Sequence, residues 1–184
     1  MRRLSLSLAL AATLCSSALR AQEPKSPAAA TSCPSTATLD QLITAIVAGV
    51  SGTANQDRTC FRALFLPDAR LIPIRVGADG TATPHVLSVD DWITAVAKNG
   101  SMVFYEKQIK VSTESWAHMA HLWSTYETRT TPDAKPPEGK VPDRVMDRGI
   151  NSIQAIFDGK QWHVMEIIWQ AEKPDDPVPA KYLP

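Results

Sequence analysis

The chain has 184 residues, with nineteen basic and nineteen acidic side chains and three cysteines. That length suits one domain, and so even a charge balance carries no electrostatic footprint for nucleic acid. Three cysteines and four histidines, scattered along the chain, make no metal-binding cluster, and no phosphate loop, dinucleotide fingerprint or G-x-S-x-G elbow is present.

The opening MRRLSLSLALAATLCSSALRA reads as a secretory signal peptide over residues 1–21. Arg2 and Arg3 precede a short apolar run and then small residues, too short a run to span a membrane. Cleavage is expected after Ala21, with Ala18 as the alternative. Cys15 lacks a convincing lipobox. The expected location is therefore secreted or periplasmic, with no membrane association after cleavage. Three of the nineteen basic residues lie in the leader with no acid, so cleavage leaves sixteen against nineteen acidic ones. In an oxidising compartment Cys33 and Cys60 are expected to pair, tying the N-terminal arm to the second helix.

Residues 22–37, rich in Pro, Ala, Ser and Thr, read as a disordered arm. Thr38 is the N-cap of a helix over 39–50, where Leu39, Leu42, Ile43, Ile46, Val47 and Val50 recur at helical spacing. A second helix is expected over 55–65, ended by Pro67 and Asp68. Residues 70–76 read as a strand, placed by Pro73 at an edge or a bulge. Ser88 caps a third helix, with Asp91 completing a capping-box-like arrangement and Trp92, Ile93, Val96 and Ala97 on the apolar side. Asn99-Gly100 stops it. A strand follows over 102–111, with Val103, Tyr105, Ile109 and Val111 on one side. The next runs 116–129, with Trp116, His118, Ala120, Leu122, Ser124 and Tyr126 favoured as its inward face. A Pro-rich charged loop spans 130–147.

Residues 148–172 hold the strongest signal. Two β-branched runs flank Asp158-Gly159, a pair suited to the φ > 0 positions of a hairpin turn. Alternation puts Gly149, Asn151, Ile153, Ala155 and Phe157 on one face of the first strand, and Trp162, Val164, Glu166 and Ile168 on one face of the second. A two-residue turn would set Asn151 opposite Glu166. Residues 173–184 form a Pro-rich tail that Tyr182 and Leu183 dock on the body. Helices first and antiparallel strands afterwards make an α+β pattern over 38–172.

The segments RLIPIR (70–75), AHLWSTYE (120–127), RGINSIQ (148–154), GKQWHVMEIIW (159–169) and PVPAKYLP (177–184) resemble bacterial members of the nuclear transport factor 2-like superfamily, SnoaL-like group. The resemblance implies a cone-shaped, bent antiparallel sheet packed on three N-terminal helices and open at one end to a pocket. The superfamily holds ketosteroid isomerases, scytalone dehydratases, limonene-epoxide hydrolases, polyketide cyclases and non-enzymatic proteins, so activity has to be argued from the site.

Glu166 is the candidate catalytic residue. A carboxylate on an apolar strand face is desolvated, its pKa rises, and it becomes a base near neutral pH. Asn151, Tyr126 and Trp92 join it as candidate ligand-binding residues. Glu127, Arg129 and Arg148 read either as a clamp for an anion or as a solvated ion pair. His118 and His121, three apart on a strand, face opposite sides and cannot chelate together. No metal and no cofactor are expected. Three functions stay open: a binder of a small, largely apolar molecule with no assigned reaction; a cofactor-independent isomerase, dehydratase or cyclase; and an association module. The last would dimerise through an outer sheet face of Ile156, Met165, Ile167 and Trp169.

Overall fold

Thr38 opens helix α1 (Leu39–Val50) in the computed structural model, which describes residues 32–131 and 145–184. Its hydroxyl accepts from the Gln41 N–H at 3.2 Å, and the Gln41 side chain accepts from the Thr38 N–H at 3.2 Å. This capping box satisfies two of the donors every helix start leaves free. The leader and all of the arm before Ser32 lie outside the described residues, as does 132–144 of the Pro-rich loop.

The remaining elements are β1 (Gly52–Thr53), α2 (Thr59–Arg62), β2 (Phe65–Val76), β3 (Ala82–Pro84), β4 (Leu87–Ser88), α3 (Val89–Ala97), β5 (Val103–Trp116), β6 (Met119–Thr131), β7 (Val145–Phe157), β8 (Trp162–Ala171) and a 3-10 turn at Ala180–Tyr182. Ser88 and Asp91 cap α3 reciprocally, as their spacing predicts. Helix α2 is a single turn rather than a helix over 55–65. Asp57 accepts the Thr59 N–H at 2.9 Å and fixes the start there, and Phe65 already belongs to β2.

Eight strands form one sheet in the order β1-β5-β6-β7-β8-β2-β3, with β4 also pairing β2. The sheet is mixed rather than antiparallel throughout, because β2 runs parallel to β8. Pro73 is therefore not on an edge: β2 lies between β8 on one side and β3 and β4 on the other, and its bulge falls between Phe65 and Arg70. The chain reverses at Ala117-His118, where Ala117 takes φ 51°, so the strand expected over 116–129 starts at Met119 and Trp116 ends β5. From Ala120 on the inward face of β6 is the expected one, with Ala120, Leu122, Ser124 and Tyr126 all buried, whereas Trp116 and His118, placed on the same face, precede the strand and are exposed.

The β7–β8 hairpin holds the main departure. Phe157 pairs with Trp162 across a four-residue turn, in which Asp158 accepts the N–H groups of Gln161 and Lys160 at 2.8 Å each. Those bonds, with His163 adding a third, hold the Asp158 carboxyl down to about 2. Further along, Ala155 pairs with Val164 but Gln154 with Glu166. Met165 is the extra residue of a β-bulge, and past a bulge the alternation of faces inverts. Val164 and Ile167 are thus both inward, at 0% and 5% exposure. Glu166 and Ile168 turn to the other side.

The core gathers α1 (Leu42, Ile43, Ile46), Phe61 and Leu64, and inward residues of β6, β7 and β8. The Cys33–Cys60 disulfide closes with Cα atoms 5.1 Å apart. The last residues of the arm are therefore held: Thr36 is 2% exposed and its carbonyl accepts the Trp162 N–H at 2.8 Å. At the other end the tail lies on the outer sheet face. The Tyr182 ring meets Trp123 at 5.7 Å, its carbonyl accepts from Thr125 Oγ1 at 2.7 Å, and Lys110 Nζ donates to the Leu183 carbonyl at 2.7 Å.

Candidate functional site

A cavity of about 220 Å³ lies between the helices and the inner sheet face. Its apolar wall comes from Ile46 and Val50 of α1, Phe61 of α2, Leu71 of β2, Trp92 of α3, Phe104 of β5, and Ile167 and Trp169 of β8. The polar end is built from three adjacent strands: Glu106 on β5, Tyr126 and Thr128 on β6, and Asp147 and Asn151 on β7. Strand pairing places them. Glu106 is opposite Thr128, and Tyr126 is opposite Gly149, two residues from both Asp147 and Asn151.

Gly149 is needed there for space. A Cβ on it would lie 2.6 Å from Tyr126 Oη and 2.3 Å from the Gln170 carbonyl oxygen. Tyr126 is 4% exposed and Asn151 8%. Asn151 Nδ2 donates to Glu106 Oε1 at 3.1 Å. Glu106 keeps part of its surface toward a groove beside α1 that it also lines, and among the described residues no cation pairs with its carboxyl. Desolvation pushes that carboxyl up to about 7, against the smaller opposing pull of the Asn151 amide. Desolvation, and then the charges of Asp147 and Glu106, push the Tyr126 phenol above its ordinary value and keep it protonated. Desolvation also raises Asp147, opposed by the Arg148 N–H that it accepts at 3.0 Å.

Three of the four residues read from the sequence as pocket-lining meet in this cavity: Trp92, Tyr126 and Asn151. Glu166 does not. The bulge at Met165 puts Trp169 opposite Asn151 and leaves Glu166 on the outer face, paired in register with Gln154 and Arg70. The carboxyl groups in the cavity are Glu106 and Asp147. Alternation in the sequence puts Val103 and Tyr105 on the apolar side of the Glu106 strand, whereas Phe104 and Glu106 face the cavity. Phe104 two residues before Glu106 was the available signal, masked by the charged run Glu106-Lys107.

The arginines of the suspected clamp are committed elsewhere. Arg129 Nη2 pairs with Glu127 at 2.9 Å and Arg148 Nε with Glu172 at 2.9 Å. Of the outer-face residues expected in a dimer, Ile156 and Met165 are exposed, Ile167 is inside, and Trp169 lines the cavity. A second hollow, about 290 Å³, lies under the tail on the outer face. Its acids are structural: Glu172 accepts from Arg148 and from the Val178 N–H at 3.0 Å, and Asp176 from Gln170 at 3.3 Å. Among the described residues no three His, Cys, Asp or Glu groups are placed to hold a metal, and no helix is long and apolar enough to cross a membrane.

Neither a family model nor a curated protein sequence matches the chain. Solved structures do. One is a protein of unknown function with a cystatin-like fold from Nostoc punctiforme, at TM-score 0.54 and 9% identity, covering 74% of this chain and 90% of that one. The chain has the nuclear transport factor 2-like, or cystatin-like, fold. Another match is the beta subunit of a provisionally assigned aromatic-ring-hydroxylating dioxygenase from Novosphingobium aromaticivorans, at TM-score 0.54 and 10% identity, over 73% of this chain and 87% of that one. Kfla4162 from Kribbella flavida reaches 0.53 at 14% identity, over 73% and 88%. At such identities the likeness is one of fold, so the chemistry of this chain rests on its own cavity.

Proposed function

We propose that the chain is an exported, SnoaL-like small-molecule-binding protein whose inner cavity takes a largely apolar molecule, with its polar end at Glu106, Asn151 and Tyr126. The observation that carries this is the cavity itself: an aromatic and aliphatic wall converging on a few buried polar groups, the usual make-up of a ligand site. The Cys33–Cys60 disulfide supports an oxidising, extracytoplasmic location. The test is a titration with 2-naphthol, a neutral fused aromatic, followed by tryptophan fluorescence. The intact chain should bind it. A Val50→Trp variant, which fills the cavity from α1, should not. Equal binding by both, with the variant folded by circular dichroism, would place the ligand elsewhere and overturn the reading.

A second reading has an observation of its own. A carboxyl titrating at about 7 is poised to take and return a proton at neutral pH. Glu106 rather than Glu166 would then be the general base of a cofactor-independent isomerase, dehydratase or cyclase. Tyr126, held protonated, would donate to an oxygen that gains charge. Glu106→Gln should abolish turnover of any substrate found while leaving the fold intact, and unchanged turnover would sink this reading.

A further inference from the structure

We infer that the ligand of the inner cavity carries a protonated amine, held by Glu106, Tyr126 and Asp147, with its apolar body against Trp92 and Trp169. This rests on the small-molecule reading above and narrows it to a chemical class. The first support is the charge inventory. Among the described residues every ionisable group lining the cavity is an acid, and none is basic. The arginines nearest in sequence are paired outside it, Arg148 to Glu172 and Arg129 to Glu127. Arg58 does not line it either: its guanidinium donates to the Gly49 carbonyl and stacks 5.2 Å from the centre of the Trp92 ring.

The second support is independent of the acids. Tyr126 is 96% buried and lines the cavity, and its hydroxyl makes no hydrogen bond among the described residues. The oxygen is open to the cavity rather than sealed from it, so a bound group can reach it. Glu106 and Asp147 line the same cavity as this phenol, Glu106 opposite Thr128 and Asp147 two residues from Gly149, the register partner of Tyr126. Asn151 takes one oxygen of Glu106 and leaves the other free for a ligand.

An anionic ligand would meet two acids and, among the described lining residues, no basic group. A neutral ligand would leave an ionised, half-buried Glu106 with the Asn151 amide as its partner and no opposite charge. An ammonium group answers all three lining groups. It donates to the free oxygen of Glu106, to Tyr126 Oη and toward Asp147.

The experiment uses isothermal titration calorimetry on the signal-cleaved chain at pH 8, with three probes of one size and shape: 2-phenylethylamine, 2-phenylethanol and phenylacetate. The amine is expected to bind at least about tenfold tighter than the alcohol, from one charge-assisted contact, with phenylacetate weakest. Glu106→Gln should bring amine and alcohol level. If the alcohol binds as tightly as the amine, the amine inference fails while the small-molecule reading stands. If 2-naphthol binds and none of the three probes does, the amine inference fails in the same way. If nothing binds, 2-naphthol included, both fail together.

Discussion

Removing the Glu106 charge should stabilise the protein, and only at neutral and higher pH. The carboxyl rises from an ordinary 4.5 to about 7 because it is desolvated and its one partner is a neutral amide. Between those two values the folded state holds a proton that the unfolded chain has released. Stability is therefore complete below about pH 4.5 and declines as pH rises to about 7. A difference of about 2.5 units, at 1.36 kcal/mol each, is about 3 kcal/mol. Glu106→Gln keeps an oxygen for the Asn151 amide and removes the ionisation. At pH 8 it should be more stable than the parent by up to that amount, roughly 6–12 °C in melting temperature for a domain of this size. At pH 4.5 the two should coincide. The assay is thermal or urea unfolding of both proteins from pH 4.5 to 8.5. Other carboxyls, including Asp158 held low by its turn, contribute equally to both curves and cancel in the difference. Parallel curves would refute the reasoning, because Glu106 would then titrate normally. A less stable variant at pH 8 would mean that the carboxylate has a favourable partner.

Reducing the Cys33–Cys60 bridge, 27 residues apart, should lower the unfolding free energy by about 3–4 kcal/mol on the chain-entropy model, read as a fall in urea midpoint on adding a phosphine reductant; no change would leave the bridge without energetic weight. Gly149→Ala should cost about 1–3 kcal/mol, since its Cβ would press on the Gln170 carbonyl and Tyr126 Oη, and it should weaken 2-naphthol binding; a neutral result would show that β7 can shift. Tyr182→Ala should cost about 1 kcal/mol through loss of the Trp123 contact and expose the tail to limited proteolysis, whereas an unchanged cleavage rate would mean that the hydrogen bonds from Thr125 and Lys110 hold it alone.

The features legible in the sequence are those set by neighbours along the chain. Thr38 and Ser88 cap their helices because capping is settled within four residues. The inward faces of β6 and β7 follow from alternation alone, and with them Tyr126 and Asn151 reach the cavity. The errors arise where one residue changes the count. Met165 bulges and inverts β8, and periodicity has no means of registering an inserted residue inside a run of apolar side chains. Ala117 turns the chain at positive φ without the Gly or Asn that marks such turns. Glu106 illustrates a different limit. Its burial depends on α1 covering β5, and that is decided by tertiary packing rather than by the charged residues beside it.

The parallel pairing of β2 with β8 also orders events in time. Phe65 meets Val164, and Leu71 meets Ile167, across almost the whole length of the domain. Contacts so distant in sequence are slow to form, because the loop between them must close first. The first third of the domain therefore emerges from synthesis with its longest strand lacking its main neighbour. The Cys33–Cys60 bridge needs only the early part of the chain and can close before any of this happens. When the closing hairpin arrives, Trp162 and Val164 donate to the carbonyls of Thr36 and Leu64, and the same strand lays Ile167 and Trp169 against the cavity. Chains truncated before β8 should thus be oxidised yet unable to enclose a ligand, which makes completion of the last strand the step that commits the molecule to its binding form.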